Sequence, residues 1–269
     1  MPISPATISH TILVPSLELR REVKVSLIAP AITGDFRGLP LLLLNDGQDL
    51  EKMPFTSIIE GLWKEQKIAP LLIAGIHAGA ERKMEYGVTG IPDYLGRGAK
   101  AANYRDFVNR ELLPVLLKHW GLDRFESLSF AGFSLGGLSA LDLSFDGRFP
   151  VKQVGVFSGA LWWRSLDQTE TAYNDEVHRI MHSSIRAAKS VPKDLRFFFQ
   201  CGALDEVLDR NNNGIIDSID DTRDLIKELI SKGYDAAKDI HYLEMPDGRH
   251  DIATWARALP QFLTWGWGK

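Results

Sequence analysis

A single cysteine, Cys201, stands among the 269 residues. One thiol excludes an internal disulfide framework and any metal site built from several cysteines. Long hydrophobic runs are missing too: none approaches the roughly 20 residues needed to cross a bilayer. The opening MPISPATISHTILVP has no basic segment followed by an apolar one, so the chain as given is expected to be cytoplasmic, with no membrane partner. Charge of one sign is scarce. The formal net charge is -4, and Lys and Arg are scattered rather than gathered in a stripe, which argues against a nucleic-acid partner. Repeats, low-complexity tracts and Pro/Gly/Ser linkers are also lacking. Residues 1–269 are therefore expected to form a single domain, and a 45% hydrophobic content suffices for its core.

What is present has a clear grammar. Two β-rich runs, HTILVPSLEL and VKVSLIAP, flank the charged Arg20, Arg21 and Glu22 and predict an antiparallel pair at a sheet edge. Six continuous apolar runs follow: LPLLLLNDG, APLLIAGIHAG, SLSFAGF, KQVGVFSGA, LRFFFQCG and DIHYLEMPDG. Runs of this kind fit strands buried on both faces of a mostly parallel sheet. The segments between them predict helices at about 56–66, 104–120, 135–145, 169–188, 219–232 and 251–265. Strand, crossover and strand repeated in this way make a doubly wound α/β sheet. Ligands of such sheets bind beyond the carboxyl ends of the strands, so the residues just after each run carry the interest.

Ser134 follows SLSFAGF and precedes LGGLSALDL, the strand, sharp turn and helix of a nucleophile elbow. Gly132 and Gly136 then have a steric reason, because side chains there would collide with the adjoining strand and helix. A serine hydroxyl needs a base, and the base needs an orienting carboxylate. His250, in PDGRHDIATW after the last apolar run, is the candidate base. His241 begins that run, and His119 ends a helix. After LRFFFQCG come Asp205 and Glu206, and Asp205 is the candidate acid. Two backbone N–H groups must meet the oxyanion. One is that of Leu135; the other comes from the turn after LPLLLLNDG, at Gln48 or Asp49. Cys201, within its run, is a small buried hydrophobe.

Together LLLNDGQ, GFSLGGLSAL, FSGALWW, GALDE and GRHDIATW resemble the esterase family of α/β hydrolases that includes enterochelin esterases, feruloyl esterases and the mycolyltransferases of the antigen 85 group. The resemblance covers nearly the whole chain. It implies an α/β-hydrolase fold, a Ser134, Asp205, His250 triad with no catalytic cofactor, and oxyanion amides at Gln48 and Leu135. Residues 78–103 should border the site, and Trp162 and Trp163 are candidate substrate contacts. The short stretch between FSGA and LRFFF leaves no room for a large lid domain. The expected substrate is a soluble small-molecule or carbohydrate-linked ester, feruloyl or siderophore-like. Acyl transfer with the same triad is the alternative within enzymes.

One more motif is separate. DRNNNGIIDSID from Asp209 has the spacing of an EF-hand-type loop: Asp209, Asn211, Asn213, Gly214, the Ile215 carbonyl, Asp217 and Asp220. Asp220 stands where Glu is usual. A structural Ca²⁺ there would tie down the acid loop, and a calcium-dependent binding protein on a silent scaffold is the reading from another class. A polar turn capping the next helix is the alternative.

Overall fold

A computed structural model describes residues 6–31 and 35–269; the reading of Met1–Pro5 lies outside the described residues. In chain order the elements are β1 (Thr7–Ser16), β2 (Arg21–Pro30), β3 (Leu41–Asn45), a 3₁₀ turn (Gly47–Lys52), α1 (Phe55–Lys64), β4 (Leu72–Ile76), α2 (Arg82–Glu85), α3 (Ala101–Phe107), a π turn (Val108–Leu112) and α4 (Leu113–Trp120). Then come β5 (Leu128–Phe133), α5 (Leu135–Phe145), β6 (Val151–Phe157), α6 (Asp175–His178), α7 (Ile180–Ala187), β7 (Arg196–Leu204), α8 (Asp217–Ser231), β8 (Ile240–Arg249) and α9 (Ile252–Trp267).

The strands form one eight-stranded sheet in the order β1-β2-β4-β3-β5-β6-β7-β8. As the charged turn at Arg20 to Glu22 predicts, β1 and β2 pair antiparallel at the edge, and β2 meets β4 antiparallel. From β4 to β8 every pairing is parallel. This is the α/β-hydrolase arrangement. The order reverses between β3 and β5, so their carboxyl ends open the crevice in which such sheets bind ligands.

The continuous apolar strands are covered on both faces. Phe55, Ile59, Leu259 and Phe262 from α1 and α9 pack one face, and Tyr104, Phe107, Leu138, Ile185 and Leu225 pack the other. Residues Leu135 to Leu141 of α5 are buried without a break, as expected of a helix that is apolar all round. Among the described residues no helix is long and apolar enough to cross a membrane.

Two predicted helices differ in detail. The one predicted at 104–120 begins at Ala101 and widens into a π turn just before Pro114, whose missing N–H leaves a regular turn one bond short. The turn also presents Glu111, which accepts bonds from the Ser16 hydroxyl and from the Leu17 and Glu18 amides and so holds the β1–β2 hairpin. The helix predicted at 169–188 is broken into α6 and α7, because Arg179 between them is extended. That break sends the buried Arg179 guanidinium to Asp221 and Asp224.

The structure does not support a calcium site at the Asp209 to Asp220 motif. Asp209 accepts from the Asn213 and Gly214 amides. Asn211 and Asn213 turn their N–H₂ groups, not their oxygens, toward Asp220, and the Asn213 oxygen accepts from Ile215 N–H. Asp217, buried at the start of α8, accepts from the Arg210 amide at 2.9 Å and faces the Arg210 guanidinium at 3.2 Å. Among the described residues no group of three or more His, Cys, Asp or Glu side chains could hold a metal ion. The positive charge is supplied by the chain itself. Arg210 also reaches Asp175 at 2.9 Å and Asp221 at 2.6 Å, joining the segment after β6 to the loop after β7. Replacing Arg210 by Met leaves these carboxylates short of a cation, which should lower unfolding free energy in urea by about 3 kcal/mol. EDTA should leave the melting temperature of the wild type unchanged; a drop would restore the metal.

Candidate active site

At the junction of β5 and α5, Ser134 adopts φ 54° and ψ -122°, a conformation that a non-glycine residue holds only when its surroundings enforce it. Here they do. Ser134 N–H donates to the Phe157 carbonyl at 2.8 Å, and its own carbonyl accepts from Gly137 N–H at 3.0 Å and Ala160 N–H at 3.1 Å. A methyl group on Gly132 would collide with the Gly136 carbonyl, and one on Gly136 would sit 2.5 Å from Asp46 Oδ2. The half-exposed serine therefore stands at the top of the sheet, while the Leu135 amide opens α5 at a position with no intrahelical acceptor.

The turn after β3 packs directly behind it. Asp46 is buried and left-handed, with φ 61°. The Asp49 amide is taken by the Asp46 carbonyl at 2.9 Å, so of the two amides proposed for the oxyanion only that of Gln48 precedes the first bond of the turn. The Gln48 side chain braces the loop, donating to Asp46 at 3.0 Å and accepting from Ala78 N–H at 3.0 Å. Asn45 reaches the Gly136 carbonyl at 2.8 Å and accepts from the Tyr104 hydroxyl.

Arg82, on α2 within the predicted bordering tract, is the residue that sequence reasoning missed. Its Nε and one terminal nitrogen hold the two Asp46 oxygens at 2.7 Å each, and that same nitrogen lies 3.5 Å from the Phe133 carbonyl. A buried Asp in the NDG turn demands a cation, which is the signal that could have found it; its partner lies 36 residues on.

Beyond β7, Asp205 directs its carboxylate over Gly202: a methyl group on that glycine would lie 2.6 Å from Oδ1. Glu206 turns away and accepts from the Ser218 amide at 2.7 Å, capping α8. Burial raises the proton affinity of Asp205, opposed by the nearby Ser158 hydroxyl, the Gly202 amide and the charge of His250. His250 follows β8 and is exposed, with its ring 5.4 Å from that of Trp255. Partial desolvation lowers its pKa, Asp205 pulls the other way, and Arg82 adds to the lowering. The net direction is downward, which keeps the imidazole neutral and available as a base near pH 7. His250 thus feels the charges of both Asp205 and Arg82 at the carboxyl edge of the sheet.

The two tryptophans part company. Trp163 is buried, packed against Gly87 and Gly98, so its ring belongs to the core rather than to a substrate contact. Trp162 is half-exposed, with Arg97 5.2 Å and Arg164 5.8 Å from its ring centre. The Tyr94 amide donates to the Arg164 carbonyl at 3.0 Å, tying the 78–103 segment to the one that carries Trp162. Cys201 is buried beside Thr222, where burial pushes its thiol up to about 12, and it takes no part.

Solved structures share this fold. An enterochelin esterase from Shigella flexneri superposes with TM-score 0.73 at 22% identity, over 98% of this chain and 59% of that one. A ferulic acid esterase gives 0.69 at 17% identity, over 97% of each. An IroE-like serine hydrolase from Shewanella oneidensis gives 0.68 at 16%, over 96% of this chain and 79% of that one. The chain thus spans 59% of the Shigella protein's length. No curated protein sequence matches. Residues 16–265 match the family model described as "Putative esterase", and the chain belongs to that family of α/β hydrolases.

Proposed function

We propose that the protein is a serine carboxylic-ester hydrolase working through Ser134, His250 and Asp205. The observation that carries this is the enforced elbow at Ser134, with φ 54° between β5 and α5, and the placing of Asp205 and His250 directly after β7 and β8, the two strands that follow the elbow strand's neighbour. Ser134 Oγ attacks the ester carbonyl carbon, and its proton passes to the neutral His250. The electron pair displaced onto the carbonyl oxygen is met by the amides of Leu135 and Gln48. Arg82, held by Asp46 and close enough to bias His250, adds positive charge where the negative charge develops. His250 then gives its proton to the leaving alcohol, and Asp205 stabilises the imidazolium in between. Water, deprotonated by His250, attacks the acyl-enzyme, and Ser134 is restored.

The substrate is a soluble ester with an aromatic or carbohydrate-linked part. Trp162 is half-exposed with the Arg97 and Arg164 guanidiniums over its ring, and these cations suit an aromatic group bearing partial or full negative charge. The structural relatives named for enterochelin and ferulic acid esters are consistent with this class.

A fluorophosphonate should add once, on Ser134, and Ser134→Ala should lose both the adduct and p-nitrophenyl acetate hydrolysis; an unlabelled, inactive wild type would refute the assignment. Because His250 must be neutral and its pKa is lowered from about 6.5, kcat/KM should fall only as pH drops below that value. An acid limb centred above pH 7 would contradict the downward direction. Arg82→Gln should reduce kcat by about 10²-fold or more. It should also move the acid limb to higher pH, since Asp205 and Asp251 would then act on His250 without the opposing cation. A variant with wild-type kcat and pH profile would take Arg82 out of the mechanism.

A further inference from the structure

The α9-facing side of β7 carries a polar residue in an apolar cluster. Gln200 is fully buried, and neither its Nε2 nor its Oε1 has a hydrogen-bond partner among the described residues. Its strand neighbours in register are Phe157 and Leu243, which offer no side-chain partner. Leaving an amide unpaired in such a place costs about 1–3 kcal/mol, so this side chain requires an explanation.

Its position supplies one. Gln200 and Gly202 are two apart on the strand and share a face. The Asp205 carboxylate lies over Gly202 on that same face, one pleat or about 6.6 Å along the strand from the Gln200 Cβ. The Gln200 amide extends along that face toward Asp205, yet no hydrogen bond joins the two among the described residues. Both Asp205 oxygens are likewise buried, and no hydrogen bond joins them to Gln200 or His250 among the described residues. The side wall is Ser158, also buried and held at φ 44°. Its N–H is spent on the Gln200 carbonyl at 2.8 Å, and its Oγ accepts from Trp255 Nε1 at 3.0 Å. The Gln200 amide, the Ser158 hydroxyl and the Asp205 carboxylate oxygens are therefore all buried near the end of β7. Such a pocket is polar enough to hold ordered water, which needs two to four partners.

We infer that Gln200 is a positioning residue that holds an internal water against the Asp205 carboxylate, fixing the acid from behind while His250 engages it from the front. The role rests on the triad proposed above. The water accepts from Gln200 Nε2 and donates to Asp205, and Ser158 closes the pocket. Fixing the carboxylate at its rear restricts its rotation, so its forward oxygen stays aimed at the imidazole N–H.

The first test is a crystal structure of the wild-type protein at a resolution that shows ordered solvent. It should contain a water within hydrogen-bond distance of both the Gln200 amide and an Asp205 oxygen. Gln200 bonded elsewhere, with no such water, overturns the inference whatever the kinetics. The second is Gln200→Leu, near in volume and without polar atoms. It should lower kcat on p-nitrophenyl acetate about tenfold, the low end for an outer partner of a functional group, with KM unchanged. It should also displace the far-downfield proton resonance of the His250 to Asp205 hydrogen bond, which loss of packing alone would not move. Wild-type kcat together with an unmoved resonance sinks it. Failure of the wild type to react with a fluorophosphonate would refute the triad instead, and the crystallographic result would still decide the water site.

Discussion

Everything at the site depends on how closely three backbone segments approach one another at the reversal of strand order. Gly132 lies against the Gly136 backbone, and the Asp46 and Asn45 side chains lie against Gly136, so the end of β5, the start of α5 and the turn after β3 are packed together. Gly47 extends the contact to Gly75 on β4. A packing this tight enforces the positive φ of Ser134, an energy cost of order 1–3 kcal/mol. Two large sheet and helix interfaces cover that cost, for α5 is buried nearly all round.

Close approach alone would leave Asp46 as a buried charge. Arg82 resolves this with two bonds of 2.7 Å, and the pair does more than neutralise. It draws the segment after β4 against the turn after β3, and through Tyr94 and Arg164 that segment is fastened to the one carrying Trp162. The Arg210 cluster has the same logic on the other side, holding the segment after β6 to the loop after β7. Each cation is useful because it bridges elements that are distant in the chain; an isolated surface pair would contribute little.

The periodicity of the chain made the fold legible. The apolar runs became the strands, and the helix predicted at 135–145 begins at Leu135 and ends at Phe145, because glycine and small residues leave few alternatives there. Side chains whose partners are remote were not legible. Arg179 breaks a predicted helix for the sake of Asp221, 42 residues later, and nothing local announces it. Arg82 was hidden for the same reason. The Asp209 to Asp220 stretch misled in a more instructive way. Asp, Asn and Gly at alternate positions serve a calcium loop and a set of side-chain-to-backbone turns equally well. What separates the two is the charge that meets the carboxylates, and Arg210 brings it from inside the motif while Asp175 and Asp221 answer from outside it.

A site assembled this way has its electrostatics set before any ligand arrives. The 3₁₀ turn at Gly47 and helix α5 at Leu135 begin on adjacent strands, β3 and β5, so their free N-terminal amides open toward the same crevice. The partial positive charge of each start is fixed by backbone packing rather than by mobile side chains. The Asp46 carboxylate behind them would cancel part of that field if it stood alone. Paired to Arg82, its charge is balanced and the field of the two starts is left largely intact. Negative charge developing on a bound carbonyl oxygen would then need little reorganisation of the protein, the condition under which fixed dipoles stabilise a transition state most effectively.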